Sequence, residues 1–176
     1  MLNISYSAAY DPYHTAFRFL MLLRASSKEQ KTYDWLRISD FYLCFPKRLS
    51  EFSAPRKVPG LKGRISRLVR SLPDVHYASL PESRIIFERM TIIQDTALRA
   101  LSKKDMVSYS LSGNQRMVAH GIQEVPEPLL SEVDSAIAKN QPLLEILAED
   151  FVEIEVLGPG GLKDRSGLEE YQYDTV

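Results

Sequence analysis

The sequence is poor in the residues that carry most site chemistry. Cysteine occurs once in 176 residues, at Cys44, which excludes an internal disulfide framework and a cysteine-based zinc cluster and fits a reducing compartment. Cys44 sits between Leu43 and Phe45, where a buried, inert thiol is expected. The histidines His14, His76 and His120 stand far apart in different contexts. There is no G-x-S-x-G nucleophile elbow, and GPGG at 158–161 lacks the lysine and the strand-to-helix setting of a phosphate loop. Long hydrophobic runs are missing as well. The run Phe19–Leu23 falls far short of the ~20 apolar residues that cross a bilayer. The opening MLNISYSAAY has no basic stretch ahead of an apolar one and does not read as a secretory signal. These absences lead to the expectation of a soluble, cytoplasmic, non-enzymatic protein with no cofactor, no metal and no membrane partner.

Net charge is also small, at −1, but the charges are not evenly spread. Lys47 to Arg70 holds eight basic residues and one acid, Glu51, whereas Glu145 to Val176 holds nine acids and two bases. Such asymmetry points to surfaces for two partners, or to two parts of the chain that meet, or simply to two solvated faces. Glu145, Glu149 and Glu153, spaced four apart, read as a solvated helix face.

What the chain has in quantity is helical periodicity. Asp11-Pro12 is an N-cap followed by a proline in the first turn. Tyr13, Ala16, Phe17, Leu20 and Leu23 then recur at spacings of three and four, with His14 and Arg18 on one stripe. In TYDWLRISDFYLCFP, Trp35, Ile38, Tyr42 and Phe45 share a face. Arg37 and Asp40 lie on its polar side, Asp34 is a candidate cap, and Pro46 is the stop. Residues 47–61 read as a loop. Ile65, Leu68, Val69 and Leu72 make a short amphipathic helix whose other side carries Lys62, Arg64, Arg67 and Arg70. These four cations are candidate phosphate contacts, or a surface for an acidic partner.

The longest helix signal runs from Pro81 through Leu101, with Arg84, Arg89, Gln94 and Arg99 as its nearest approach to base-reading side chains. Two β-compatible runs around Ser112-Gly113-Asn114 follow. Helix, basic exit, strand, turn, strand is the local order of a winged helix, and equally that of a helix followed by any hairpin. Pro126 to Asn140 forms a further helix, and Pro142 kinks it or starts another. The fold class expected is mainly α with a small β-hairpin: a winged-helix-like domain with additional helices over 1–156, then an acidic, flexible tail over 157–176.

Two segments carry a resemblance. DPYHTAFRFLMLL followed by WLRISDFYLCFP resembles the paired signature of the middle components of ABC-three-component systems, bacterial defence operons of the Lamassu type. ALRALSKKDMV is similar to the helix-to-strand exit of that family's winged-helix-like part, although this chain has Asp105 where the exit usually carries a glycine. The resemblance spans roughly residues 10 to 110. It implies a non-catalytic adaptor that docks on an ATPase resembling the structural-maintenance-of-chromosomes (SMC) family and links it to an effector, often a nuclease, in immunity against phages and plasmids. Double-stranded DNA would then be met through the complex. Asp11, Pro12, Tyr13, His14, Arg18, Arg37, Asp40, Phe41 and Pro46 transfer as signature positions, without catalytic roles. Among them Arg18, Arg37 and Asp40 are expected to form a buried or semi-buried polar set that orients the first two helices. A stand-alone winged-helix DNA-binding regulator is the alternative reading.

Overall fold

The computed structural model describes residues 8–74 and 80–169. It is mostly helical with one small antiparallel sheet. In chain order the elements are α1 (Pro12–Ala25), β1 (Lys31–Thr32), α2 (Tyr33–Cys44), a 3₁₀ turn (Pro46–Glu51), α3 (Leu61–Ser71), α4 (Ser83–Lys103), β2 (Val107–Ser112) and β3 (Gln115–His120). Then come α5 (Glu127–Lys139), α6 (Gln141–Leu144), a π-helical segment (Glu145–Asp150), a 3₁₀ turn (Phe151–Glu153) and α7 (Leu162–Ser166).

α2 is the centre of the molecule. Ten of its twelve residues are buried, including Arg37, Ser39 and Asp40, so the polar side read from the sequence does not face solvent. α1 and α4 pack on it, with Phe19, Leu22, Phe41, Phe87 and Met90 in the shared core. The aromatic content of α2 is spent on edge-to-face packing: Phe41 meets Phe87 at 6.1 Å, and Tyr42 meets Phe151 at 5.8 Å. Leu20 is buried whereas Phe17 is half-buried, and Tyr13 is 86% exposed, so Tyr13 leaves the core stripe that its spacing suggests. Thr32, not Asp34, caps α2 by accepting a hydrogen bond from the Trp35 amide at 3.1 Å.

The sheet has the order β1-β3-β2. Its hairpin is the one read from the sequence. The two-residue β1 is new: Lys31 lies opposite Val118 and Thr32 opposite Met117. Two residues are too few for any periodic signal, and the polar stretch SSKEQK that leads into β1 carries none.

Residues 157–169 correct the expected flexible tail. Leu162 and Leu168 are fully buried, and α7 is tied back by the Ser53 amide donating to Arg165 O at 2.9 Å and by Lys163 Nζ to Asp34 at 3.0 Å. The glycines that suggest a linker make turns instead; Gly167, at φ 65, ends α7. Residues 170–176 and His76 lie outside the described residues. The loop expected over 47–61 opens with the 3₁₀ turn, which buries Leu49.

The exit of α4 shows what the missing glycine does. Asp105 has φ 54, the one non-glycine among the described residues in the left-handed region. Its carbonyl accepts from the Gln123 amide at 2.9 Å, while the Gly121 amide donates to Met106 O at 2.9 Å. A Cβ on Gly121 would stand 1.8 Å from Asp105 O. Gly121→Ala is therefore expected to cost about 3 kcal/mol of unfolding free energy. Asp105→Gly, which relieves the left-handed strain but loosens the unfolded chain, should gain about 0.5 kcal/mol. Urea titrations of the two variants check both values.

Candidate functional site

The signature positions come together around Asp40, which has no exposed side-chain surface. Its Oδ1 accepts from Arg18 Nε at 2.5 Å, and its Oδ2 accepts from Gln94 Nε2 at 2.9 Å. Arg18 also donates to Thr15 Oγ1 at 2.9 Å and to Ala8 O at 3.1 Å. Gln94 turns its other groups to Arg37: it accepts from Arg37 Nε at 2.9 Å and donates to the Arg37 carbonyl at 3.1 Å. Arg37 donates to Thr91 Oγ1 at 2.7 Å and lies 4.6 Å from the centre of the Phe87 ring. One carboxylate, two guanidiniums and one amide thus join α1, α2 and α4. Burial works against the Arg18 charge, but the adjacent Asp40 carboxylate outweighs it and raises the guanidinium pKa.

Gln94 corrects the sequence reading, which placed it with the possible base readers on α4. It is fully buried, and its amide completes the network. A polar residue at a core-facing position (Met90, Gln94, Ala97 and Leu101 share a face) is the signal that could have found it.

The other signature residues are structural or exposed. Asp11 caps α1, accepting from the Tyr13 amide at 2.8 Å and the His14 amide at 3.1 Å. These amides, His14's foremost, lower the Asp11 pKa. Pro12 opens α1, Phe41 is fully buried, and Pro46 begins the 3₁₀ turn. His14 is exposed, 3.4 Å from Asp11, and does not share the environment of Arg18.

The four basic candidates separate. Arg64 is held within the chain, its Nη2 meeting both Asp150 oxygens at 2.5 Å. Lys62, Arg67 and Arg70 are exposed. The basic stretch and the acidic stretch therefore touch, at α3 and the π-helical segment. That segment is seated from the other side too. The Phe151 amide donates to Ile146 O, and Trp35 Nε1 takes up Leu147 O at 2.9 Å.

Titratable groups elsewhere do not assemble into a catalytic set. Among the described residues, no three His, Cys, Asp or Glu side chains are grouped to hold a metal ion. Burial pushes the Cys44 thiol pKa up. His120 lines a cavity of about 560 Å³ between α1 and the approach to α5, with Glu124 and Glu127 also in its wall. Burial lowers the imidazole pKa, and the nearby cations Lys31 and Arg24 lower it further. Lys31 is 2% exposed, its ammonium 3.5 Å from Leu23 O, and burial pushes its pKa down to about 8.

Against known proteins, the family model described as "ABC-three component (ABC-3C) system Middle Component 5" matches residues 4–174. No curated protein and no solved structure matches the chain.

Removing one side of the buried network leaves the other uncompensated, so Asp40→Ala should cost about 3–5 kcal/mol in chemical denaturation. His14→Ala, on the exposed flank of the same helix, should change stability by no more than about 0.5 kcal/mol. Lys31 sets a pH dependence. Its folded pKa, about 8, lies below the unfolded 10.5, so the unfolded chain binds more protons between these values. Stability should then rise as pH increases from 8 toward 10. Lys31→Met should remove that rise and increase stability at neutral pH, as thermal melts across this range would register.

Proposed function

The chain belongs to the ABC-three component system middle component 5 family, and from that premise we propose that it is the non-catalytic adaptor of its complex, docking on the ATPase and linking it to an effector nuclease. A middle component works with partner subunits; the finer identities, an SMC-like ATPase and a nuclease of a cytoplasmic, Lamassu-type anti-phage system, are the reading offered here. The observation that carries it is the family match over almost the whole chain. The signature residues support it by their use. Arg18, Arg37 and Asp40 spend their polar groups on holding helices together. The described residues contain no helix long and apolar enough to cross a membrane.

The order of elements supports a winged-helix reading of the body. α1, β1, α2, α4 and the β2–β3 hairpin follow one another, with β1 adding to β3 and with α3 as an insertion before α4. The regulator alternative draws less support. Gln94 is buried in α4, and Arg64 is engaged by Asp150, so two of the side chains that would have met DNA are occupied inside the chain.

Co-expression of the tagged chain with the ATPase and effector encoded beside it, followed by size exclusion, tests the adaptor reading. The expected result is one complex containing all three, which splits into its parts when this chain is omitted. A chain that elutes alone while the other two assemble without it would overturn the reading.

A further inference from the structure

Among the described residues, no carboxylate pairs with the cations on the face of α3 turned away from Asp150. Residues 52–73 contain six cations and no carboxylate, and of those cations Arg56, Lys57, Lys62, Arg67 and Arg70 are exposed. Between α3 and the first 3₁₀ turn lies a hollow of about 300 Å³, floored by Leu49, Phe52, Ile65 and Val69, with Lys62 and Arg70 in its wall. A second hollow of about 390 Å³ shares Val69 and Ser50 with it and continues the depression toward Leu80 and Pro81, with Lys47, Arg48, Glu51 and Glu82 in its wall. The surface is thus an apolar trough bordered by positive charge at its α3 end and by both signs at the other.

We propose that this trough is the docking site for an acidic amphipathic helix of a partner subunit, one or two of its apolar side chains entering the hollows while its carboxylates meet Lys62, Arg67 and Arg70. Two properties select this occupant. The apolar floor rewards a side-chain anchor, as in helix-in-groove recognition, and gives nothing to a phosphate backbone. The uncompensated cations reward a partner of opposite sign and steer its approach. Arg64 takes no part: its pairing with Asp150 fixes α3 against the body and so presents the neighbouring cations on a rigid helix. The assignment rests on the adaptor reading and names the chemistry by which that adaptor would hold a partner.

The test uses the full chain with labelled isoleucine, leucine and valine methyl groups. The probe is a synthetic helical peptide of about 16 residues with leucine at i, i+3, i+4 and i+7 and glutamate elsewhere. Its leucines should shift the Leu49, Ile65 and Val69 methyl resonances. The triple variant Lys62→Glu, Arg67→Glu, Arg70→Glu should weaken binding by about tenfold or more at low salt, and Val69→Ala should weaken it without touching the charges. The substituted cations are exposed, so an unchanged melting temperature would show that the fold is intact. Methyl shifts with short duplex DNA and none with the peptide would overturn the proposal in favour of nucleic acid. Methyl shifts on raising protein concentration alone would assign the trough to a second copy and overturn it equally. Peptide binding that appears only after the chain is ended at Glu169 would assign the trough to the chain's own last residues, against the proposal. In the co-expression experiment, a wild-type complex that the triple variant joins equally well overturns this inference and leaves the adaptor reading standing; a wild-type chain that joins no complex overturns the adaptor reading, while the peptide titration still reads the trough.

Discussion

A carboxylate with no exposed surface in the middle of the most buried helix is the constraint around which this structure is arranged. Asp40 cannot stay charged there without donors on both oxygens, and the donors come from two other helices: Arg18 from α1 and Gln94 from α4. Each donor has obligations of its own. Arg18 reaches to Thr15 and Ala8, and Gln94 reaches to Arg37, which in turn lies on the Phe87 ring. The set is satisfied when α1, α2 and α4 hold one mutual register, and a slip of any helix strands a buried charge. An apolar set of similar volume could hold the helices as firmly, because burying charge recovers little net stability. What the polar set adds is a choice among packings that hydrophobic contacts alone would tolerate.

The helices and the cap of α1 could be read before the structure because they depend on local chemistry. Asp11 before Pro12 marks the start of α1, Pro46 marks the end of α2, and the β2–β3 turn is made by Gly113 and Asn114. Arg18, Arg37 and Asp40 were legible as a polar set from their positions on two adjacent apolar helices. Their fourth partner was not. A glutamine on a long helix that also carries Arg84, Arg89 and Arg99 reads as surface, and its burial follows from α4 packing on α2. The tail was misread for a related reason. Glycine and acid content describe solubility, while Leu162 and Leu168 find a hydrophobic seat that exists because the rest of the fold supplies it.

The charge split acquires a physical meaning from the same contacts. The basic and acidic stretches meet where Arg64 pairs with Asp150, Phe52 packs on Phe151 and Ser53 bonds Arg165. The adaptor proposed above would need more than one surface, and this chain keeps Lys62, Arg67 and Arg70 exposed on α3 and carboxylates such as Glu145 and Glu149 exposed elsewhere. Arg18, Arg37 and Asp40, among its signature residues, lie inside and hold α1, α2 and α4 to one another.

One contact joins the two halves of the chain across the core. The indole of Trp35, in the first turn of α2, donates to the Leu147 carbonyl of the π-helical segment. It is the one tryptophan in the sequence. The protein thereby carries a built-in optical probe at the seat of its C-terminal third on the helical core, in a hollow that Gln115 and Met117 of β3 and Phe151 also line.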